Sequence, residues 1–192
     1  MYNNHNHTEY SNALLGFPDV ICRVNNLIQK AYDIGLDGIT ITEHEGISSH
    51  IKALKYYNNM EKTRPFKLGL GNEIYLLHED EDMENRNGGS IPYYHFVLTA
   101  LDTMGHQQIR ELSSMAWNRA YKKFIYRRPT YYSDLEKIIK PNQGHVIAST
   151  ACLGSRIDKL LLSNNIAEAI NEIKKLIEIF VYGDILIKFI TH

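Results

Sequence analysis

The sequence predicts an α/β fold: a parallel sheet of six or seven strands closed into a (β/α) barrel. Three observations lead there. Apolar strand-like runs alternate with segments of helical periodicity along the chain, and strands separated by helices imply a parallel sheet with right-handed crossovers. His5-Asn6-His7 opens the chain in a strand-like stretch, and residues two apart on a strand project to the same side. Other residues able to bind metal lie at the ends of later apolar runs: Glu43-His44 after 38–42, Glu73 after 68–71, His95 opening 96–100, and Cys152 after 145–149. The C-terminal strand ends of a barrel converge on one mouth, so distant side chains can meet there; an open sheet strings them along an edge.

The elements follow in order. Met1–His7 reads as the first strand. Asp19–Tyr32 reads as a helix, because Val20, Val24, Leu27, Ile28 and Ala31 recur at helical spacing, Pro18-Asp19 supplies a start and Gly35 a stop. Gly38–Thr42 is a strand, and Ile47–Asn58 a helix with Ile47, Ile51, Leu54 and Tyr57 on one face. Lys67–Leu70 and Glu73–Leu77 read as two short strands. His78–Ile91 is polar and acidic, contains Asn87-Gly88-Gly89, and reads as a loop. Tyr93–Ala100 is a strand. Gly105–Phe124 is the longest helix, carrying Ile109, Leu112, Met115, Ala116 and Ala120. Tyr131–Lys140 is a short helix stopped by Pro141, His145–Ser149 a strand, Ser155–Leu162 and Asn165–Val181 helices, and Asp184–Ile190 the last strand.

Bulk properties bound the function. A chain of 192 residues supports one well-buried core. Apolar residues make up 44% of it, usual for a globular domain. A formal net charge of −1 gives no global basic field for nucleic acid, though it leaves room for a local groove. Two cysteines, Cys22 and Cys152, are too few for a disulfide framework, and a reducing cytoplasm is the expected location. The opening residues carry His and Asn instead of a basic segment before an apolar one, so no signal peptide is expected. No apolar run approaches the ~20 residues that span a bilayer. His5 and His7, projecting together, form a ready chelate for Zn²⁺ or Mn²⁺.

A collinear set of motifs adds to this reading. His5-Asn6-His7-Thr8-Glu9-Tyr10-Ser11, the run from Gly35 through Thr42-Glu43-His44-Glu45-Gly46, Gly69–Tyr75, Tyr94-His95-Phe96-Val97-Leu98, Ser149-Thr150-Ala151-Cys152-Leu153-Gly154 and Phe180–Asp184 occur in sequence. Together they resemble the polymerase and histidinol phosphatase (PHP) domain found at the N-terminus of bacterial and phage DNA polymerase III alpha subunits. The resemblance covers almost the whole chain. It implies an α/β fold of PHP type, a distorted barrel of about seven strands, incomplete at the C-terminus, in a single domain over 1–192 that forms the N-terminal part of a longer alpha chain.

What the resemblance implies about function is specific. Carried over by position, the metal ligands are His5, His7, His44, Glu73, His95 and Cys152, with Asp19 a further candidate displaced by Leu14–Pro18. Two or three divalent ions, Zn²⁺ or Mn²⁺ with Mg²⁺ as another candidate, are implied, and Glu73 can bridge two of them. His7, Glu73 and His95 are the residues expected to carry the chemistry. That chemistry is phosphoester hydrolysis, in some polymerases a 3′–5′ exonuclease, with single-stranded DNA, the remainder of the polymerase and replisome subunits as partners. The family has Asp where Glu43 stands, and its last motif, an Asp-x-His pair, would fall beyond His192, so one metal position is expected to be incomplete. Two other readings remain: a metal-poor scaffold for a replicative polymerase, and a free-standing phosphatase like the histidinol phosphatases.

Plainer roles compete residue by residue. Cys152 can be a small buried hydrophobe, and Asp19 an N-cap. Cys22 is expected in the core, Glu9 and Tyr10 ordering a loop, and His50, His78, His106 and His145 at the surface or capping. The segment Arg119–Arg128 interleaves cations with aromatics, which suits a nucleic-acid backbone with stacked bases or an ordinary solvated helix end. The acidic run Glu79–Asp82 is expected to be a solvated loop that repels DNA.

Overall fold

Strand parity sets the architecture. In a computed structural model that describes residues 1–12, 20–119, 128–181 and 183–186, the sheet is built from β1 (Tyr2–Asn3), β2 (Gly38–His44), β3 (Lys67–Leu77), β4 (Tyr94–Ala100), β5 (Pro129–Tyr131), β6 (Val146–Thr150) and β7 (Ile185–Leu186). The order is β1-β2-β3-β4-β6-β7, with β5 paired to β3 past the end of β2. The sheet curls into a half-barrel. Helices α1 (Val24–Asp33) and α2 (His50–Asn59) cover one half, and α4 (Thr103–Asn118), α5 (Tyr132–Ile138), α6 (Arg156–Leu162) and α7 (Ile166–Ile179) belong to the other; α3 (Glu79–Arg86) lies between β3 and β4 in sequence. None of the described helices is long and apolar enough to cross a membrane.

Alternation assigns each strand an apolar outer face and a polar inner one. Ile39 and Ile41 of β2 join Val24, Ile28 and Ala31 of α1 and Ala53 of α2 in one core. Ile74 and Leu76 of β3, Phe96 and Leu98 of β4, and Val146 and Ala148 of β6 meet Ile109, Leu112, Leu135, Ile157 and Leu176 in the second. The intervening residues Thr40, Thr42 and His44 on β2, Gly69, Gly71 and Glu73 on β3, and His95 and Val97 on β4 therefore share the inner face. There the curvature leaves little room. A Cβ on Gly71 would lie 2.4 Å from the Leu98 carbonyl oxygen, and one on Gly69 would lie 2.4 Å from Thr40 Oγ1.

The all-parallel expectation is corrected: β4 runs antiparallel to both β3 and β6, while β1–β2, β2–β3, β3–β5 and β6–β7 are parallel. The cause lies in the segment expected to be a loop. Residues 79–86 form α3, started at His78, whose N–H donates to the Glu81 side chain at 3.0 Å. Four acids in the first turn, Glu79 to Asp82, favour the positive end of the helix dipole, and Asp82 pairs with Arg86 one turn on. Asp82 is buried and accepts from the hydroxyls of Tyr93 and Tyr131, so the run is no solvated loop. The Asn85 amide then clasps Ile91, accepting from its N–H and donating to its C=O. This folds the segment back so that the chain re-enters the sheet at the end it left, which makes the next strand antiparallel.

Smaller departures follow the same logic. The two short strands expected at 67–70 and 73–77 are one strand of 11 residues. Only Tyr2–Asn3 of the opening stretch is strand, so His5 and His7 lie on the loop after it. The helix expected at 19–32 begins at Val24, whose N–H donates to Glu9 Oε2 at 2.8 Å. Cys22, expected in the core, is only half-buried and outside the helix. His50, expected at the surface, is buried, donating from Nε2 to the Gly71 carbonyl at 2.9 Å and meeting His106 Nε2 with Nδ1 at 3.0 Å. Arg119 pairs with Asp134, and Arg128 packs 3.6 Å above the Trp117 ring. The rest of the cationic segment lies outside the described residues, as do His192 and most of the last strand.

Candidate metal centre

Glu73 is the centre of the site. Parallel register sets it, partway along β3, beside His44 at the end of β2. Antiparallel β4 brings its first residues to the same end, with His95 opposite Tyr75. Thus His95, near the start of its strand, meets Glu73 partway along β3 and His44 at the end of β2. Glu73 Oε1 lies 3.0 Å from His95 Nδ1 and 3.6 Å from His5 Nε2; Oε2 lies 2.7 Å from His44 Nδ1 and 3.2 Å from His7 Nε2. Cys152 Sγ, just past β6, is 3.7 Å from His95 Nδ1. Two donor triads with atoms mutually within 4.8 Å share this carboxylate: His5, His7 and Glu73, and Glu73, His95 and Cys152. His44 stacks on His7 with ring centroids 4.1 Å apart.

Two hydroxyls fix the tautomers of the first histidines. Ser11 Oγ donates to Glu43 Oε2 at 2.5 Å, so its single proton is spent. Its oxygen must accept from His7 Nδ1 at 3.1 Å and from the His44 N–H at 3.2 Å. His7 therefore carries its proton on Nδ1 and a lone pair on Nε2. Thr42 Oγ1 donates to the Asn6 carbonyl and accepts from the Asn6 N–H, which makes the His5 Nδ1 contact at 2.8 Å a donation from the ring. The Nε2 lone pairs of both rings face Glu73 oxygens. Acceptor facing acceptor is repulsive unless a cation lies between. Glu73 Oε2, buried and among four imidazoles, also has no hydrogen bond of good geometry. The donor set of imidazole, carboxylate and thiol fits Zn²⁺ or Mn²⁺.

Burial opposes ionisation of Glu73, but the imidazoles beside it, His44 foremost, outweigh it and hold the carboxyl far below the usual range. His95 is pushed up to about 10 by its hydrogen bonds with Cys152 and then Glu73. The same contact with His95 lowers the Cys152 thiol against the opposing effect of burial, helped by the Gly154 N–H at 3.3 Å. A thiolate is the form that binds metal.

Of the residues singled out in the sequence, His5, His7, His44, Glu73, His95 and Cys152 come together; Asp19 lies outside the described residues. Sequence reasoning missed the supports. Ser11 and Thr42 are the tautomer-setting hydroxyls. Glu43, fully buried, accepts from the Thr8 N–H at 3.0 Å, the Thr8 hydroxyl and Ser11, tying the His5–His7 loop to β2. Glu45 holds a left-handed φ of 40°, fixed by its N–H to the Glu73 carbonyl, by Trp117 Nε1 on its own carbonyl, and by Tyr75 N–H and Thr130 on its carboxyl. Burial pushes Glu45 up to about 8. The available signal was two acids flanking His44 at the end of an apolar strand.

Comparison with known proteins gives one consistent result. The sequence model of the PHP domain matches residues 3–192. The probable DNA polymerase YorL of Bacillus subtilis (strain 168) is 39% identical over 164 residues, which is 82% of this chain and 12% of the relative; the DNA-directed DNA polymerase of Bacillus phage SPbeta matches equally. The DNA polymerase III subunit alpha of Borreliella burgdorferi is 28% identical over 169 residues, 88% of this chain and 13% of that protein. The chain thus spans about an eighth of the length of these relatives.

Proposed function

This chain belongs to the PHP domain family, homologous to the corresponding part of DNA polymerase III alpha subunits, and we propose that it is a metal-dependent phosphoesterase acting in DNA replication. The substrate we infer is a phosphodiester at the 3′ end of single-stranded DNA, cleaved as a 3′–5′ exonuclease. The observation that carries the reading is the convergence of four imidazoles and one thiol on the buried Glu73 carboxylate.

Zn²⁺ or Mn²⁺, two or three ions with Mg²⁺ as another candidate, would supply charge neutralisation of the phosphate, an activated water and stabilisation of the leaving oxygen when bound. The chain's own residues prepare that site. His5 and His7 present Nε2 lone pairs because Thr42 and Ser11 hold their Nδ1 protons. Glu73 supplies the shared anionic oxygens, and His95 with Cys152 closes the second triad. His7, Glu73 and His95 are the residues assigned to the chemistry, with Asp19 and His44 as further ligands. The parent chain we infer is a replicative DNA polymerase of cytoplasmic location, with residues 1–192 as its PHP domain, and DNA, the remaining polymerase and replisome subunits as partners.

The test is metal analysis of the purified chain, then hydrolysis of a simple phosphodiester and a labelled oligodeoxynucleotide with Mn²⁺ or Zn²⁺ added. His7→Ala and Glu73→Gln should bind less metal and lose hydrolysis. A metal-loaded chain that cleaves neither substrate overturns the enzyme assignment.

A further inference from the structure

The outer side of α2 carries chemistry that the metal centre does not use. A solvent-open groove of about 530 Å³ runs between the N-terminal loop, α1 and α2. Tyr10 comes from the loop, Asn25 from α1, and Lys52, Lys55 and Tyr56 from one face of α2. Among the described residues two cations line the groove and no carboxylate does. Lys52 is already compensated by Glu9 at 2.9 Å and lies 5.3 Å from the Tyr10 ring centroid. Lys55 is exposed and has no ion pair among the described residues, so one positive charge remains uncompensated. Asn25 Oδ1 is buried without a hydrogen-bond partner, an arrangement that costs free energy until a donor reaches it. Tyr56 is held in place by its hydroxyl donating to Gln29 at 2.6 Å.

A cation for a phosphate and flat rings for a base are the elements of single-strand recognition. The groove also adjoins the metal centre along the chain: Tyr10 precedes Ser11, the hydroxyl that orients His7. We propose that this groove binds one nucleotide unit of a single strand, with its phosphate on Lys55 and its base against Tyr10 or Tyr56. The proposal rests on reading the chain as a nucleic-acid phosphoesterase. It adds a subsite for the strand whose lining residue Tyr10 is next in sequence to the hydroxyl that orients His7.

Binding of a fluorescent oligothymidylate to the full chain, kept metal-free with EDTA, tests the subsite separately from hydrolysis. Lys55→Glu is a surface change, and its fold is checked by circular dichroism. It should weaken binding roughly tenfold and lower the salt dependence by about one unit of slope. An abasic oligonucleotide of the same length should bind at least about fivefold more weakly, as expected for a lost stacking contact. Lys55→Glu within twofold of the parent, or equal binding of the abasic strand, overturns the groove. A metal-loaded chain that hydrolyses nothing while the Lys55 effect persists overturns the phosphoesterase reading and leaves the groove standing.

Discussion

Replacing Ser11 by Ala isolates the support beneath His7. The hydroxyl is the point where Glu43, His7 and the His44 backbone meet. Its loss removes the acceptor that keeps the His7 proton on Nδ1, so the ring is free to flip or change tautomer. Supporting partners of this kind change metal affinity by about 10- to 100-fold, equivalent to roughly 1.4–2.7 kcal/mol. Glu43 also loses one of three donors while keeping Thr8 N–H and Thr8 Oγ1, which predicts a fall of about 1–3 kcal/mol in metal-free stability. The two effects are read separately: metal affinity by competition with a chromophoric chelator, and stability by urea unfolding in EDTA. Ser11→Ala should fail in both. A metal affinity within twofold of the parent would show that the hydroxyl does not set the His7 tautomer, and the argument for a lone pair aimed at Glu73 would fall.

Other outcomes follow from the same geometry. Burial holds His50 near 4 against an ordinary value of 6.5; the unfolded chain therefore binds the extra proton, and stability should fall by about 3 kcal/mol between pH 6.5 and 4 and then level off. Urea unfolding of His50→Gln should lack most of that pH dependence, and a parallel decline in parent and variant refutes it. Gly71→Ala places a methyl group 2.4 Å from the Leu98 carbonyl, so thermal unfolding should register a loss of about 1–3 kcal/mol; no loss would mean that the inner face is wider than described. Stripping metal with EDTA should lower the melting temperature, since a ligand at 100 times its dissociation constant contributes about 2.7 kcal/mol. Readdition of Zn²⁺ or Mn²⁺ should restore it in the parent and not in Glu73→Gln.

Much of this protein was legible in its residues, because the relevant patterns are local. Alternation along Gly38–Thr42 and Phe96–Ala100 fixes which side chains face the helices, and the motif residues His5, His7, His44, Glu73, His95 and Cys152 stand out by type and position. Residues 79–86 hid a helix because four adjacent acids carry no apolar period, and their stabilisation comes from a helix end, an i,i+4 pair and tyrosines distant in sequence.

Strand direction was decided only in three dimensions. Nothing within Tyr94–Ala100 distinguishes a strand that enters from one end of the sheet from one that enters at the other. The fold-back of 78–93 decided it, and with it the arrival of His95 beside Glu73. The hydroxyls of Ser11 and Thr42 gained their meaning the same way: a serine or threonine is anonymous in a sequence, and its proton acquires a direction only once a carboxylate or carbonyl from another segment accepts it.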